Sequence, residues 1–119
     1  MRPILALLVA FLASPAFADS FAKVSDRTAF MDAMGDRNLR LGLFGVNLDV
    51  RDNGTVVGRA LGYDVTGTWS WEGEYFCREL DWGGTTIPYN CQLVEVSSSN
   101  QIRFTVDQGA GDDATFNLR

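Results

Sequence analysis

The chain has 119 residues, 15 acidic and 10 basic side chains, no histidine, two cysteines and twelve glycines, for a net charge of −5. A chain this short reads as one domain, too small to hold a dinucleotide-binding unit and a separate substrate unit. Without histidine there is no Ser-His-Asp triad, no histidine metal ligand and no histidine general base, and the acidic balance argues against nucleic acid, whose phosphates call for a basic surface.

The first 18 residues, MRPILALLVAFLASPAFA, carry one positive charge at Arg2, an unbroken apolar run from Ile4 to Ala13 and a small-x-small site at Ala16-Phe17-Ala18. That is the pattern of a secretory signal peptide, cleaved between Ala18 and Asp19. The run is too short to span a bilayer, which takes about 20 residues, and no later stretch is apolar enough to do so. The expected mature domain is therefore residues 19–119, in the periplasm or outside the cell. Loss of Arg2 leaves 9 basic against 15 acidic residues, or −6.

Asp19 to Val24 reads as a loose leader. Ser25 is placed to cap a short helix from Asp26 to Met34, with Asp26 near the positive end of its dipole. Phe30 and Met34 share one face, and Gly35 stops the helix. From Leu39 the period becomes two. Val46, Leu48 and Val50 alternate with polar residues, which predicts a half-buried strand. Asp52-Asn53-Gly54 predicts a hairpin with positive φ at both Asn53 and Gly54, and Thr55 to Ala60 returns. Tyr63, Val65, Gly67, Trp69 and Trp71 share one face of a long strand that turns at Glu72-Gly73-Glu74. Tyr75 to Trp82, Asn90 to Val96, Ile102 to Val106 and Ala114 to Leu118 complete about seven strands, joined at Gly83-Gly84, at Ser97 to Asn100 and at Gly109 to Asp113. Consecutive hairpins make an antiparallel meander. A meander with one apolar face must roll up, so the expected fold is a small, mainly β barrel with the single helix closing one end or face.

Cys77 and Cys91 fall in adjacent expected strands of an exported chain. A disulfide is the expected state, with two free thiols as the other reading. Two thiolates without histidine are too few for zinc, and no metal or other cofactor is expected.

Seven of the mature chain's twelve aromatics, Tyr63, Trp69, Trp71, Tyr75, Phe76, Trp82 and Tyr89, lie between residues 63 and 89. They read either as barrel core or as a stacking surface for a ligand. Trp69 suits the core. Trp71, Tyr75 and Trp82 lie nearer turns and, with Tyr63 and Arg78, are the candidate ligand-binding residues; Arg78 reads either as an ordinary cross-strand ion-pair member or as a partner for an inward acid or a ligand carboxylate. Asp49 to Gly54 opens like a calcium loop, but Arg51 holds its third position and Ala60 its twelfth, where a bidentate Glu is needed. Gln108 to Asp113 reads as an acidic hairpin tip in solvent, with weak calcium binding through Asp112 and Asp113 as the other reading. Asn53-Gly54-Thr55 fits a glycosylation sequon. Glu72 and Glu74 flank one turn glycine rather than facing each other across a cleft, so no paired-carboxylate chemistry is read there.

Gly67-Thr68-Trp69, Trp71, Tyr75 to Arg78, Trp82-Gly83-Gly84 and Asn90-Cys91-Gln92 form a GTW-W, YFCR, WGG, NCQ series. It resembles a family of small exported bacterial proteins of undefined role, some of which carry the label dihydrodipicolinate reductase. The residues themselves contain neither a glycine-rich loop opening a helix after a strand nor a histidine-rich catalytic segment. The leading functional expectation is a non-catalytic, monomeric barrel of the cell envelope that binds a small or extended ligand. The alternatives are an inhibitor or interaction protein for a periplasmic enzyme, entering its target through Asp19 to Val24 or Gly83 to Pro88, and the reductase that the family label implies.

Overall fold

The computed structural model describes residues 20–119; the expected signal peptide and its Ala18–Asp19 junction lie outside them. In chain order the elements are β1 (Phe21–Val24), α1 (Arg27–Met34), β2 (Leu39–Leu41), β3 (Val46–Val50), β4 (Thr55–Ala60), β5 (Tyr63–Glu72), β6 (Tyr75–Trp82), β7 (Thr85–Ser97), β8 (Gln101–Thr105) and β9 (Asp113–Leu118). Strands β2 to β9 pair consecutively and antiparallel, and β9 pairs back onto β2. The result is a closed eight-stranded barrel with β1 outside it. Closure satisfies the edge strands that an open meander would leave bare.

Residues directly opposite each other in a sheet point to the same side. The pairs Leu39–Leu48, Val50–Val56, Val56–Gly67, Gly67–Leu80, Phe76–Gln92, Val94–Phe104, Ile102–Phe116 and Leu118–Leu39 therefore trace the inward face around the barrel. Gly67 is dictated by this curvature, because a Cβ there would stand 2.2 Å from the Glu79 carbonyl oxygen.

Two short strands escape the sequence reading. β2 has three residues and β1 four, too few to display a period. β1 is no loose leader: Phe21 to Val24 pair with Ser97 to Val94 of β7. The Lys23 ammonium meets the Glu74 carboxylate at 2.8 Å, and the Arg103 guanidinium lies 4.1 Å above the Phe21 ring. β7 begins at Thr85 rather than Asn90, and its 13 residues pair first with β6, then with β8 on one edge and β1 on the other. A bulge between Arg78 and Leu80 shifts the β6–β7 register by one residue, which is why the alternation fades before Asn90.

The helix cap is Asp26, not Ser25: the Ala29 amide donates to its carboxylate at 2.8 Å. A carboxylate satisfies an orphan amide and the helix dipole together. The β3–β4 turn spans Arg51 to Gly54, with positive φ at Gly54 (87°) but not at Asn53. Asn53 instead accepts from the Thr55 amide and hydroxyl, so the turn is longer than the two-residue hairpin expected.

Cys77 and Cys91 form the disulfide. They are directly opposed on β6 and β7, on the outward face, with Cα atoms 3.9 Å apart. In the chain-entropy view, closing a loop of this size stabilises by about 3 kcal/mol.

Candidate functional site

The helix seals one end of the barrel. Phe30 and Met34 are fully buried, and the Phe30 ring centroid lies 5.1 to 5.4 Å from those of Trp69, Trp71 and Phe76 and 6.4 Å from that of Phe104. The Trp69 indole N–H donates to the Arg51 carbonyl at 2.7 Å, which fixes the ring against the β3–β4 turn. The Arg27 guanidinium lies 5.0 Å over the same ring.

The rest of the inward wall includes Val50, Val56, Leu48, Leu80 and Ala114, with Phe116 beside Phe104. They do not fill an eight-stranded bore, whose interior is just wide enough for side chains or one small ligand. A cavity of about 300 Å³ results, floored by Phe76 and Phe104 and opening between Ile87, Val106 and the Asp112–Asp113 pair. The Val106 to Asp112 loop at its mouth is held by reciprocal hydrogen bonds: the Asn90 amide donates to the Asp107 carboxylate at 2.7 Å, and the Asp107 backbone N–H donates to the Asn90 side chain at 3.0 Å.

Two polar side chains face this apolar space from its wall. Arg78 lies on β6 between Phe76 and Leu80, on the inward parity. Its Nη1 donates to the Pro88 carbonyl at 2.8 Å, and among the described residues no carboxylate lies within ion-pair distance of it. Burial pulls its pKa below the usual arginine value, since desolvation disfavours the charged form. Gln92, opposite Phe76 on β7, is 6% exposed. Its amide makes no hydrogen bond to a described residue, yet none of its polar atoms is sealed from solvent, and the residue lines the cavity.

Of the candidate binding residues, only Arg78 lines the cavity. The others divide between the two ends. Trp71 packs on Phe30 at the sealed end and donates its N–H to the Gly73 carbonyl at 2.9 Å. Tyr75 flanks the same hairpin, opposite Glu72. Tyr63 and Trp82 form an edge-to-face pair at the other end, 5.9 Å between centroids, beside a small polar depression they share with Gly83 and Thr85. The Trp82 N–H donates to the Ala60 carbonyl at 2.8 Å. The aromatics thus make no single concave face. Gln92 shares parity with Val94 and Val96 and so stands out in the sequence as a polar residue on an apolar face. Arg78, between Phe76 and Leu80, carries the same signal.

The open end is rimmed by apolar residues in water. Leu43 is 90% exposed, and Phe44, Leu61 and Tyr63 are each more than half exposed. The Leu61 amide donates to the Phe44 carbonyl at 3.0 Å, which ties the β2–β3 and β4–β5 connections together. The two segments expected to enter a target enzyme are both engaged in the sheet over Phe21–Val24 and Thr85–Pro88. Gly42 and Gly109 lie in short 3-10 turns between strands, not ahead of an α-helix. Among the described residues no group of three or more acidic or cysteine side chains is placed to hold a metal ion, and no helix is long and apolar enough to cross a membrane. No known family, curated protein or solved structure matches the chain.

Proposed function

We propose that the protein is an exported, non-catalytic carrier that holds one small, largely apolar molecule inside its barrel. The observation that carries this reading is the cavity itself: an apolar bore of about 300 Å³, open at one end, with Arg78 and the unpartnered Gln92 amide on its wall. A small ligand pocket combines apolar lining with a few polar groups that orient the guest, at volumes from about 300 Å³ upward. The signal-peptide pattern and the cross-strand disulfide support an oxidising destination.

The test blocks the mouth without touching the plug. Ala114 lines the cavity but is exposed, so Ala114→Trp should leave the melting temperature within about 2 °C of the parent, as surface substitutions do, while abolishing saturable binding of an apolar probe such as octanol in calorimetric titration. Full retention of binding would remove the barrel interior as the site.

The exposed rim of Leu43, Phe44, Leu61 and Tyr63 favours a second reading, an interaction protein that docks through its open end. In that case substitution of Leu43 and Leu61 by Ser would abolish partner capture and leave probe binding unchanged.

A further inference from the structure

We propose that the guest is a monocarboxylate of about ten non-hydrogen atoms, with its apolar body in the bore and its carboxylate on Arg78 and Gln92. This rests on the carrier reading above and names the ligand class of that same site.

Size comes first. At about 30 Å³ for each guest atom, the volume a water occupies in the liquid, the cavity of about 300 Å³ holds roughly ten. Head-group chemistry follows from what the wall leaves unmatched. Arg78 uses one N–H on the Pro88 carbonyl and meets no carboxylate among the described residues. A guanidinium has five donors in a planar fork suited to a carboxylate, so most of its donor capacity is unspent on protein side chains. Gln92 adds an amide donor at the level of Phe76, one step deeper. Gln92 lines the cavity and none of its polar atoms is sealed from solvent, so a guest in the bore can reach its amide. Both groups favour an acceptor, and an anionic one favours Arg78 most, because charge-assisted hydrogen bonds are about twice as strong as neutral ones.

The mouth restricts the charge of the guest. Asp112 and Asp113 line the cavity on its solvent side. Their repulsion of a head group carrying two negative charges is about twice that of one carrying a single charge, at the same screening, and Arg78 offers one positive charge in return. The pair therefore selects a carboxylate over a phosphate monoester, a specificity made by an unfavourable contact as much as by a favourable one.

The experiment titrates the purified, oxidised protein with octanoate, octanol, octylamine and octyl phosphate. Octanoate should bind at least about tenfold tighter than octanol, the worth of one charge-assisted hydrogen bond, with octylamine and octyl phosphate weaker than octanoate. Arg78→Met should bring octanoate down to the octanol affinity and leave octanol unchanged. Gln92→Leu should weaken octanoate more than octanol, and it serves in place of Arg78→Met should that variant not fold. Equal binding of octanoate and octanol, or tighter binding of octylamine or octyl phosphate, overturns the carboxylate assignment and leaves the carrier reading standing. Absence of saturable binding by all four probes overturns the carrier reading itself.

Discussion

The two ends of the barrel are built from the same strands and differ in what meets them. At the sealed end, Phe30 and Met34 descend from α1 into a ring of Trp69, Trp71, Phe76 and Phe104. At the open end no α-helix covers the bore, a cavity is left in it, and Leu43, Phe44, Leu61 and Tyr63 stand in water. A small domain has limited apolar area to bury. Here that area is concentrated at one end, and the other is left free to admit a guest. Stability and binding are therefore expected to separate in space, and substitutions can test that separation.

The largest effect should come from the plug. Phe30→Ala removes a fully buried ring that touches four others. Cavity-forming Phe→Ala substitutions cost about 3–5 kcal/mol. In a domain of about 100 residues that lowers the melting temperature by well over 10 °C. Thermal denaturation followed by near-ultraviolet circular dichroism checks it. A loss below about 1 kcal/mol would mean that the aromatic ring holds together without its helix, and the contrast between the ends would dissolve.

Next comes the staple. The double substitution Cys77→Ser and Cys91→Ser, or reduction of the parent, should cost about 3 kcal/mol by freeing a loop in the unfolded chain. The bridge faces outward, so octanol affinity measured below the new melting temperature should stay within about twofold of the parent, the two sites being independent. A tenfold loss would show that the bridge shapes the bore.

This contrast between the ends was only half legible in the sequence. The plug was readable: Phe30 and Met34 lie four apart on one helical face, and Trp69 shares strand parity with Val65. The disulfide was readable from two cysteines in neighbouring expected strands of a chain that opens with a signal-peptide pattern. What strand parity cannot give is depth along the bore. Tyr63 and Trp71 share a face of β5, yet they end up at opposite ends, so a cluster dense in sequence is divided in space. Nor can it resolve elements of three or four residues. β2, which closes the barrel against β9, and β1, which covers the free edge of β7, were both lost that way. Gln92 and Arg78 were visible as polar residues on apolar faces. Their meaning depended on the bore being unfilled, and that follows from the summed volumes of residues on all eight strands.

The smallest effect should have the opposite sign. Arg78 is a cation drawn partly out of water without an acidic partner among the described residues, and burial pulls its pKa below the ordinary value. In the linkage relation, a folded-state pKa below the unfolded one means that the protonated group opposes folding at every pH below the folded value, and that this penalty fades only as pH rises through it. Arginine titrates far above neutrality, so the penalty is constant across roughly pH 5–8. Arg78→Met keeps the length of the side chain and removes the charge. The Pro88 carbonyl that loses its donor belongs to an exposed residue and can turn to water. The empty protein should therefore gain stability, by less than about 1 kcal/mol because the group is half exposed and screened, and the gain should be the same at both ends of that pH range. Guanidinium denaturation of parent and variant at the two pH values measures it. A variant less stable than the parent would mean that Arg78 braces β6 against β7 through Pro88, and its place on the cavity wall would then be explained by structure rather than by a guest.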